Sequence, residues 1–289
     1  MILKKYTLYS SADDRYLSRL INLIFSVKIN SPSVGDIIVN DIGINPIGVR
    51  ILKKIPNVRI NKIPKFSEHW NICFSWKIYA HHKNNCDLYF HLDAGNTVRK
   101  DISIIYEQIE RDGYFLIDQG QKLTDILTDD LIKKYNVEDL NKTDVFAAGN
   151  FGINRRMDKN VQALSSAYSS MLEGLNLGYS INEISKDRAG LGIVQPVPCF
   201  RHDQSVLNAA FYSKYKRLNL APHDIFAAVH DNERVVIYNQ RRITYEYIKL
   251  RDLGFLNYLY LISIDIYFKM VDILSKLKLK FRSFNIRRG

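Results

Sequence analysis

Short apolar runs alternate with stretches of helical periodicity along this chain. Tyr6-Thr7-Leu8-Tyr9-Ser10 reads as a first strand. Tyr16, Leu17, Leu20, Ile21, Ile24 and Phe25 then recur at helical spacing, with Ser11 or Asp13 placed to cap the helix. Ser31-Pro32-Ser33 breaks the chain, and Asp36 to Gly43 reads as a second buried strand. Pro46 to Lys54 predicts a helix and Val58 to Ile60 a third strand, an order that argues for a parallel sheet. Ser67 to His81 reads as a helix, Leu88 to Leu92 as a strand ending at Asp93, Ile102 to Arg111 as a helix and Tyr114 to Asp118 as a strand. The polar stretch Gln119 to Thr143 is expected to lie outside the sheet. A Gly-punctuated strand follows from Phe146 to Asn154, then a helix from Lys159 to Leu175 and a loop-rich region up to Pro198. Ile225 to Val229 and Arg234 to Tyr238 read as late strands. The predicted class is α/β: a mostly parallel, doubly wound, Rossmann-like sheet over residues 1–240, with a C-terminal helical extension over 241–289.

A chain of 289 residues suffices for one large α/β domain with an appendage. Its 46% apolar and 12% aromatic content is that of a globular protein. Charge changes the picture more: from Tyr212 onward there are 15 Lys and Arg against 7 Asp and Glu, so most of the formal +11 lies in the last quarter. That asymmetry implies a polyanionic partner, either an anionic membrane or nucleic acid. Cys73, Cys86 and Cys199 form no zinc-ligand spacing and read as buried, reduced thiols of a cytoplasmic protein. No signal peptide is expected at the N-terminus, and no run of about 18 apolar residues marks a membrane span.

Two separated segments carry the candidate chemistry. Leu88-Tyr89-Phe90-His91-Leu92-Asp93-Ala94-Gly95 is an apolar strand delivering a carboxylate, followed by small residues, to the sheet edge where open α/β folds bind ligands. Arg201-His202-Asp203-Gln204-Ser205-Val206-Leu207-Asn208 places an acid and an amide where an apolar-periodic helix begins. Asp203 reads either as a site carboxylate or as a helix cap. Lys77, beside Trp76, reads either as a cation reaching a phosphate or as a snorkelling surface lysine. Asp41 and Gly43, at the end of the second strand, suit hydroxyl recognition and close ligand approach. Glycine-rich dinucleotide, Walker A and G-x-S-x-G signatures are absent from the sequence.

The order of an Asp-bearing strand, a Gly-bearing strand, an acid-Gln helix start and a late His resembles GT-A-fold nucleotide-sugar glycosyltransferases, in particular the glycogenin and bacterial lipopolysaccharide galactosyltransferase group. The matching stretches are His91-Leu92-Asp93, Ala147-Ala148-Gly149-Asn150, Asp203 to Asn208, and His230. The resemblance implies a transferase moving a sugar from a nucleotide-sugar, a UDP-sugar, to a surface glycan or lipid-linked acceptor. It implies a divalent cation, Mn2+ or Mg2+, at the diphosphate, because hard cations favour carboxylate oxygens; metal-independent chemistry, with the cations supplied by side chains, is the alternative. The metal candidates are Asp93, His91 and His230, with His223 and His202 as competitors for the late His. Asp203 and Gln204 are the catalytic candidates beside the transferred sugar; Asp41, Gly43, Lys77, Asp93, Gly95 and Arg234 are the donor-binding candidates. His91 stands where the resembled motif has its first Asp, and reads either as a ligand or as a packed core residue. The family's His-x-x-Gly-x-x-Lys-Pro-Trp signature does not follow His230.

From Gly254 the chain is rich in aliphatic and aromatic residues interrupted by Asp265, Lys269 and Asp272, and ends in Lys276, Lys278, Lys280, Arg282, Arg287 and Arg288. This reads as a helix lying on an anionic bilayer, placing the protein at the inner face of the cytoplasmic membrane. A core-packing helix with a solvated basic end, and a basic nucleic-acid-binding surface without catalysis, are the alternatives.

Overall fold

The computed structural model describes residues 6–177, 197–239 and 243–286, with side chains up to Leu277 in the last segment. The expected loop-rich region around 178–196, the boundary between 240 and 241, and the last basic side chains, Lys278 onward, lie outside the described residues.

Strand β1 (Tyr6–Ala12) is followed by a 3-10 turn, Asp14–Tyr16, before α1 (Leu17–Asn30). Asp13 caps that turn, its side chain accepting from the Tyr16 amide, so it does not cap α1 directly. After β2 (Val34–Asp41), α2 (Pro46–Lys53) opens with Pro46 in its first turn and the Asn45 side chain accepting from the Ile47 and Gly48 amides. Strand β3 (Val58–Lys62) completes this half. Helix α3 (Ser75–Lys83) is shorter than its sequence pattern predicts. Cys73 and Phe74 adopt left-handed φ of 49° and 58°, which breaks the helical path, and residues 67–74 form turns instead.

Strands β4 (Leu88–Leu92) and β5 (Asn96–Val98), helix α4 (Ser103–Asp112) and β6 (Tyr114–Lys122) follow. Part of the polar segment expected outside the sheet therefore lies within it: β6 runs on to pair Asp118 with Phe146 and Lys122 with Asp144. Short helices α5 (Leu123–Ile126) and α6 (Asp129–Tyr135) lead to β7 (Asp144–Asn154), α7 (Asp158–Leu172) and α8 (Asp203–Tyr212). Strand β8 (Leu220–Ala221) leads to α9 (His223–Phe226), β9 (Ile237–Asn239), α10 (Leu250–Leu253) and α11 (Phe255–Ile286). The late strand expected over Ile225–Val229 does not form: Ile225 and Phe226 end the helical turn of α9, which follows Pro222, and of the rest only Ala228 makes a bridge, to Tyr238. The three cysteines, expected to be buried, are partly exposed.

The main sheet has seven strands in the order β3-β2-β1-β4-β7-β6-β8. Strand β1 pairs in parallel with β2 and β4, β2 with β3, and β6 with β8; β7 runs antiparallel to both β4 and β6. Strand β9 pairs with β5 in a separate two-stranded layer. The chain leaves β1 towards β2 on one side and has β4 on the other, which opens a crevice at the carboxyl ends of these strands.

Successive strand residues face opposite sides of the sheet. Leu8, Ile37, Val39, Phe90 and Leu92 join the core formed with α1, α2 and α4. Tyr9, Ile38, Tyr89, Leu116 and Phe151 join the core of the other side, under α7 and α8. Each fully buried Leu, Ile or Phe contributes about 1.5–3 kcal/mol, and these two layers fix the sheet between them.

Helix α8 is also tied to β7 by polar contacts. Asn208 is fully buried; its amide donates to the Phe146 carbonyl and accepts from the Phe146 N–H, both at 2.9 Å. Asn208→Ala removes both bonds and strands two buried backbone groups, so it should lower unfolding free energy by about 2–4 kcal/mol. Urea unfolding of both chains measures this, and a loss below about 1 kcal/mol would show that the pairing is dispensable.

Candidate active site

His91 and Asp93 are two residues apart at the end of β4 and so project to the same side. The buried His91 ring holds Nε2 3.1 Å from Asp93 Oδ1. A nitrogen facing a carboxylate carries the proton, so His91 donates. The Asp93 amide donates to the Gly149 carbonyl on β7 at 2.8 Å. A Cβ at Gly149 would lie 2.7 Å from Asp93 Oδ2, so a side chain there would turn the carboxylate aside. Gly95 lies in the turn that follows, closed by the Asn96 side chain donating to the Asp93 carbonyl at 2.9 Å and to Asn150 Oδ1 at 3.0 Å.

Lys77 comes from the first turn of α3. Two left-handed residues set where that helix starts, and Asn176 holds the start by donating to Ser75 Oγ at 2.8 Å and to the Cys73 carbonyl at 3.0 Å. The result buries Lys77, which is 4% exposed and not a surface lysine. Its Nζ lies 2.9 Å from Asp93 Oδ1 and 3.5 Å from Asp203 Oδ2, with the Phe74 and Trp76 rings 5.3 and 5.7 Å away.

The third contributor is the start of α8. The N-cap position belongs to His202, at a left-handed φ of 53°, and no side chain caps the helix there. Asp203 stands in the first turn. Asp203 and Gln204 are both buried, and Asp203 Oδ2 and Gln204 Nε2 have no hydrogen-bond partner among the described residues. Leaving such atoms unbonded costs about 1–3 kcal/mol each, and groups of this kind call for a functional explanation.

The electrostatics follow from the arrangement. Burial would raise the Asp93 carboxyl, but the Lys77 ammonium and then His91 hold it well below the usual carboxylate range. Burial would likewise lower Lys77, and Asp93 followed by Asp203 drives it above an ordinary amine. Asp203 is raised, because burial outweighs the attraction of Lys77 and Asp93 adds to it. Burial lowers His91 despite Asp93, so the ring is neutral. The site therefore holds one fixed carboxylate, one fixed ammonium and a carboxyl with raised proton affinity.

The other candidates are dispersed. Asp41 spends Oδ1 on the Gly43 and Ile44 amides, at 2.9 and 2.7 Å. With Gly43, Lys62, Ile63, Lys65 and Trp70 it lines a cleft of about 650 Å³ at the ends of β2 and β3. His230 and Arg234 are exposed between α9 and β9 and make no polar contact with the Lys77 cluster among the described residues. His223 opens α9, and His202 Nδ1 lies 3.2 Å from the Asn176 carbonyl. The sequence marked Gly149 within a Gly-punctuated strand but not as the residue that makes room for Asp93, and nothing local marks Asn176 as a support.

The donor set does not fit the divalent cation that the resemblance implies. His91 directs its N–H at Asp93, leaving no lone pair on that nitrogen for a metal, and Asp93 Oδ1 already receives Lys77. Among the described residues no group of three His, Cys, Asp or Glu side chains is gathered to hold a metal ion.

No protein-family model and no curated protein matches this sequence. Solved structures do. The apo bifunctional glycosyltransferase WbbM is similar at a TM-score of 0.50 and 14% identity, over 77% of this chain and 39% of that one. The galactosyltransferase LgtC, solved in complex with donor and acceptor sugar analogues, is similar at a TM-score of 0.50 and 17% identity, over 82% of this chain and 87% of that one. This chain thus spans about two-fifths of WbbM and most of LgtC. At these identities the likeness is one of fold, and the fold is the GT-A fold of nucleotide-sugar glycosyltransferases.

Removing the ammonium would leave Asp93 and Asp203 facing each other uncompensated. Lys77→Ala should cost roughly 3 kcal/mol at neutral pH, the lower end for a broken buried pair because Asp93 is half-exposed. The depressed Asp93 carboxyl contributes stability that is present above the ordinary carboxylate pKa of about 3.9 and is lost as pH falls through its folded value. The gap between parent and variant should therefore narrow on acidification below about pH 4. Urea midpoints across this range test it; a constant gap would contradict the charge pairing.

Proposed function

We propose that this chain transfers a sugar from a nucleotide-sugar, a UDP-sugar, to a glycan or glycolipid acceptor of a bacterial surface, working at the inner face of the membrane. The observation that carries the reading is the meeting of Lys77, Asp93 and Asp203 beside the unbonded Gln204 amide, in a fold shared with WbbM and LgtC. LgtC was solved with donor and acceptor sugar analogues, which supports a donor and an acceptor of those kinds here.

The cleft bounded by Asp41, Gly43 and Trp70 has the size of a small-molecule site and takes the base and ribose. The diphosphate then reaches towards Lys77. As the anomeric carbon–oxygen bond breaks, its electron pair passes to the departing diphosphate, and a fixed ammonium stabilises the growing charge without reorganising. Asp203 and Gln204 face the sugar, where a carboxylate takes up the acceptor hydroxyl proton or binds a sugar hydroxyl. Asp93 aligns Lys77 and the donor.

Helix α11 supports the membrane reading through the direction of its faces. Leu261 is buried in the core, Asp265 accepts from Ser18 Oγ at 2.8 Å and from the Tyr245 hydroxyl, and Asp272 pairs with Arg15 at 3.3 Å. Leu256, Ile266, Met270, Ile273, Leu274 and Leu277 point outward, with Leu256 at 79% and Leu274 at 62% exposure. Asp265 is turned inward while much of the apolar side faces out, the reverse of a solvated surface helix. The chain then continues into its basic end. No helix of the described residues is long and apolar enough to cross a membrane.

Release of UDP from UDP-sugars tests the chemistry. Asp93→Ala should abolish it, and Gly149→Ala should lower it about a hundredfold by displacing the Asp93 carboxylate, in a chain whose fold circular dichroism shows to be retained. Retention of nucleic acid with no UDP release from the parent chain would replace this reading with the binding-protein alternative.

Vesicle flotation tests the location. Met270→Ser, Leu274→Ser and Leu277→Ser together should weaken binding to anionic vesicles by about tenfold or more without changing UDP release. Equal binding by parent and variant would place the contact elsewhere.

A further inference from the structure

Granting the transferase reading, we propose that the Lys77 ammonium, and not a divalent cation, neutralises the nucleotide diphosphate, so that donor binding and transfer proceed without metal. Three observations lead there. The position that would supply a second metal ligand is His91, and its Nε2 proton is committed to Asp93 Oδ1 at 3.1 Å. The same oxygen lies 2.9 Å from Lys77 Nζ. A divalent ion bound to that oxygen at the usual distance of about 2.0–2.6 Å would sit against a fixed ammonium, two like charges close together. Among the described residues no third ligand approaches.

The ammonium is also built to do the work. Lys77 is buried and held from two sides by Asp93 and Asp203, over the rings of Phe74 and Trp76. An ammonium has three N–H donors; Asp93 takes one at 2.9 Å and Asp203 stands at ion-pair distance, 3.5 Å, without a hydrogen bond, so a donor remains for a phosphate oxygen. Lys62 and Lys65 line the cleft at the ends of β2 and β3 that the proposed function gives to the nucleotide. A charge-assisted hydrogen bond from a preoriented cation is among the stronger single contacts a phosphate can receive.

The test uses the full chain and calorimetric titration with UDP, and with uridine as the control lacking phosphates, in EDTA and in Mn2+. The expected result is a UDP affinity equal within about twofold in the two media and tighter than uridine by about tenfold or more in EDTA. UDP release from a UDP-sugar should continue in EDTA, and Mn2+ titrated with UDP present should show no saturable binding by electron paramagnetic resonance. Lys77→Met, with its fold checked by circular dichroism, should lose the preference for UDP over uridine. UDP binding that requires Mn2+, or Mn2+ captured when UDP is added, would overturn this inference and leave the transferase reading standing. Absence of UDP binding in both media would overturn both.

Discussion

An ammonium group buried between two carboxylates is the constraint on which the rest of this structure turns. Lys77 is 4% exposed, and an unpaired charge at that depth is untenable, so Asp93 and Asp203 must both be in place around it. They come from different elements. Asp93 ends β4, Lys77 begins α3, and Asp203 begins α8, so the ion cluster joins one strand and two helix starts at the carboxyl edge of the sheet. The backbone is shaped to allow it: Cys73 and Phe74 turn left-handed just before α3, His202 does so just before α8, and Gly149 withholds the Cβ that would occupy the carboxylate's place.

The reversed strand has a particular role. Because β7 runs against both neighbours, it passes Gly149 and Asn150 alongside the end of β4 and still presents Phe146 to Asn208 of α8. One strand thus registers the acid of β4 against the helix that carries Asp203 and Gln204. The site is rigid for the same reason that the sheet is: its members sit at the ends of elements locked by two packed cores, not on a free loop. The unbonded Asp203 and Gln204 atoms are a local cost that this packing sustains.

Helix α11 resolves its mixed composition by facing. Buried Asp265 and Leu261 tie it to the domain, and much of its remaining apolar surface is displayed outward. Counting polar against apolar residues along the segment cannot reveal this, since the same composition describes a helix docked the other way round.

Much of the frame was legible in the sequence, because periodicity and chain breaks are local. The strand ending at Asp93, the helix opening at Asp203, and the alternation of strands and helices from Tyr6 to Ile60 follow from spacing of apolar residues and from the breaks at Ser31-Pro32-Ser33 and Pro46. Where local signals conflict with packing, they misled: residues 67–74 have helical character but form turns, and Ile225 and Phe226 have strand character but enter a helical turn. The tertiary structure alone decided that Lys77 is buried rather than at the surface, that His91 gives its proton to Asp93, that the N-cap of α8 is His202, and that β7 is reversed. The burial of Lys77 and the placing of Asp93 depend on residues far apart in the chain, Lys77 with Asp203 and Asp93 with Gly149. A residue's periodicity states which side of its element it occupies; only the packing of elements states what it meets there.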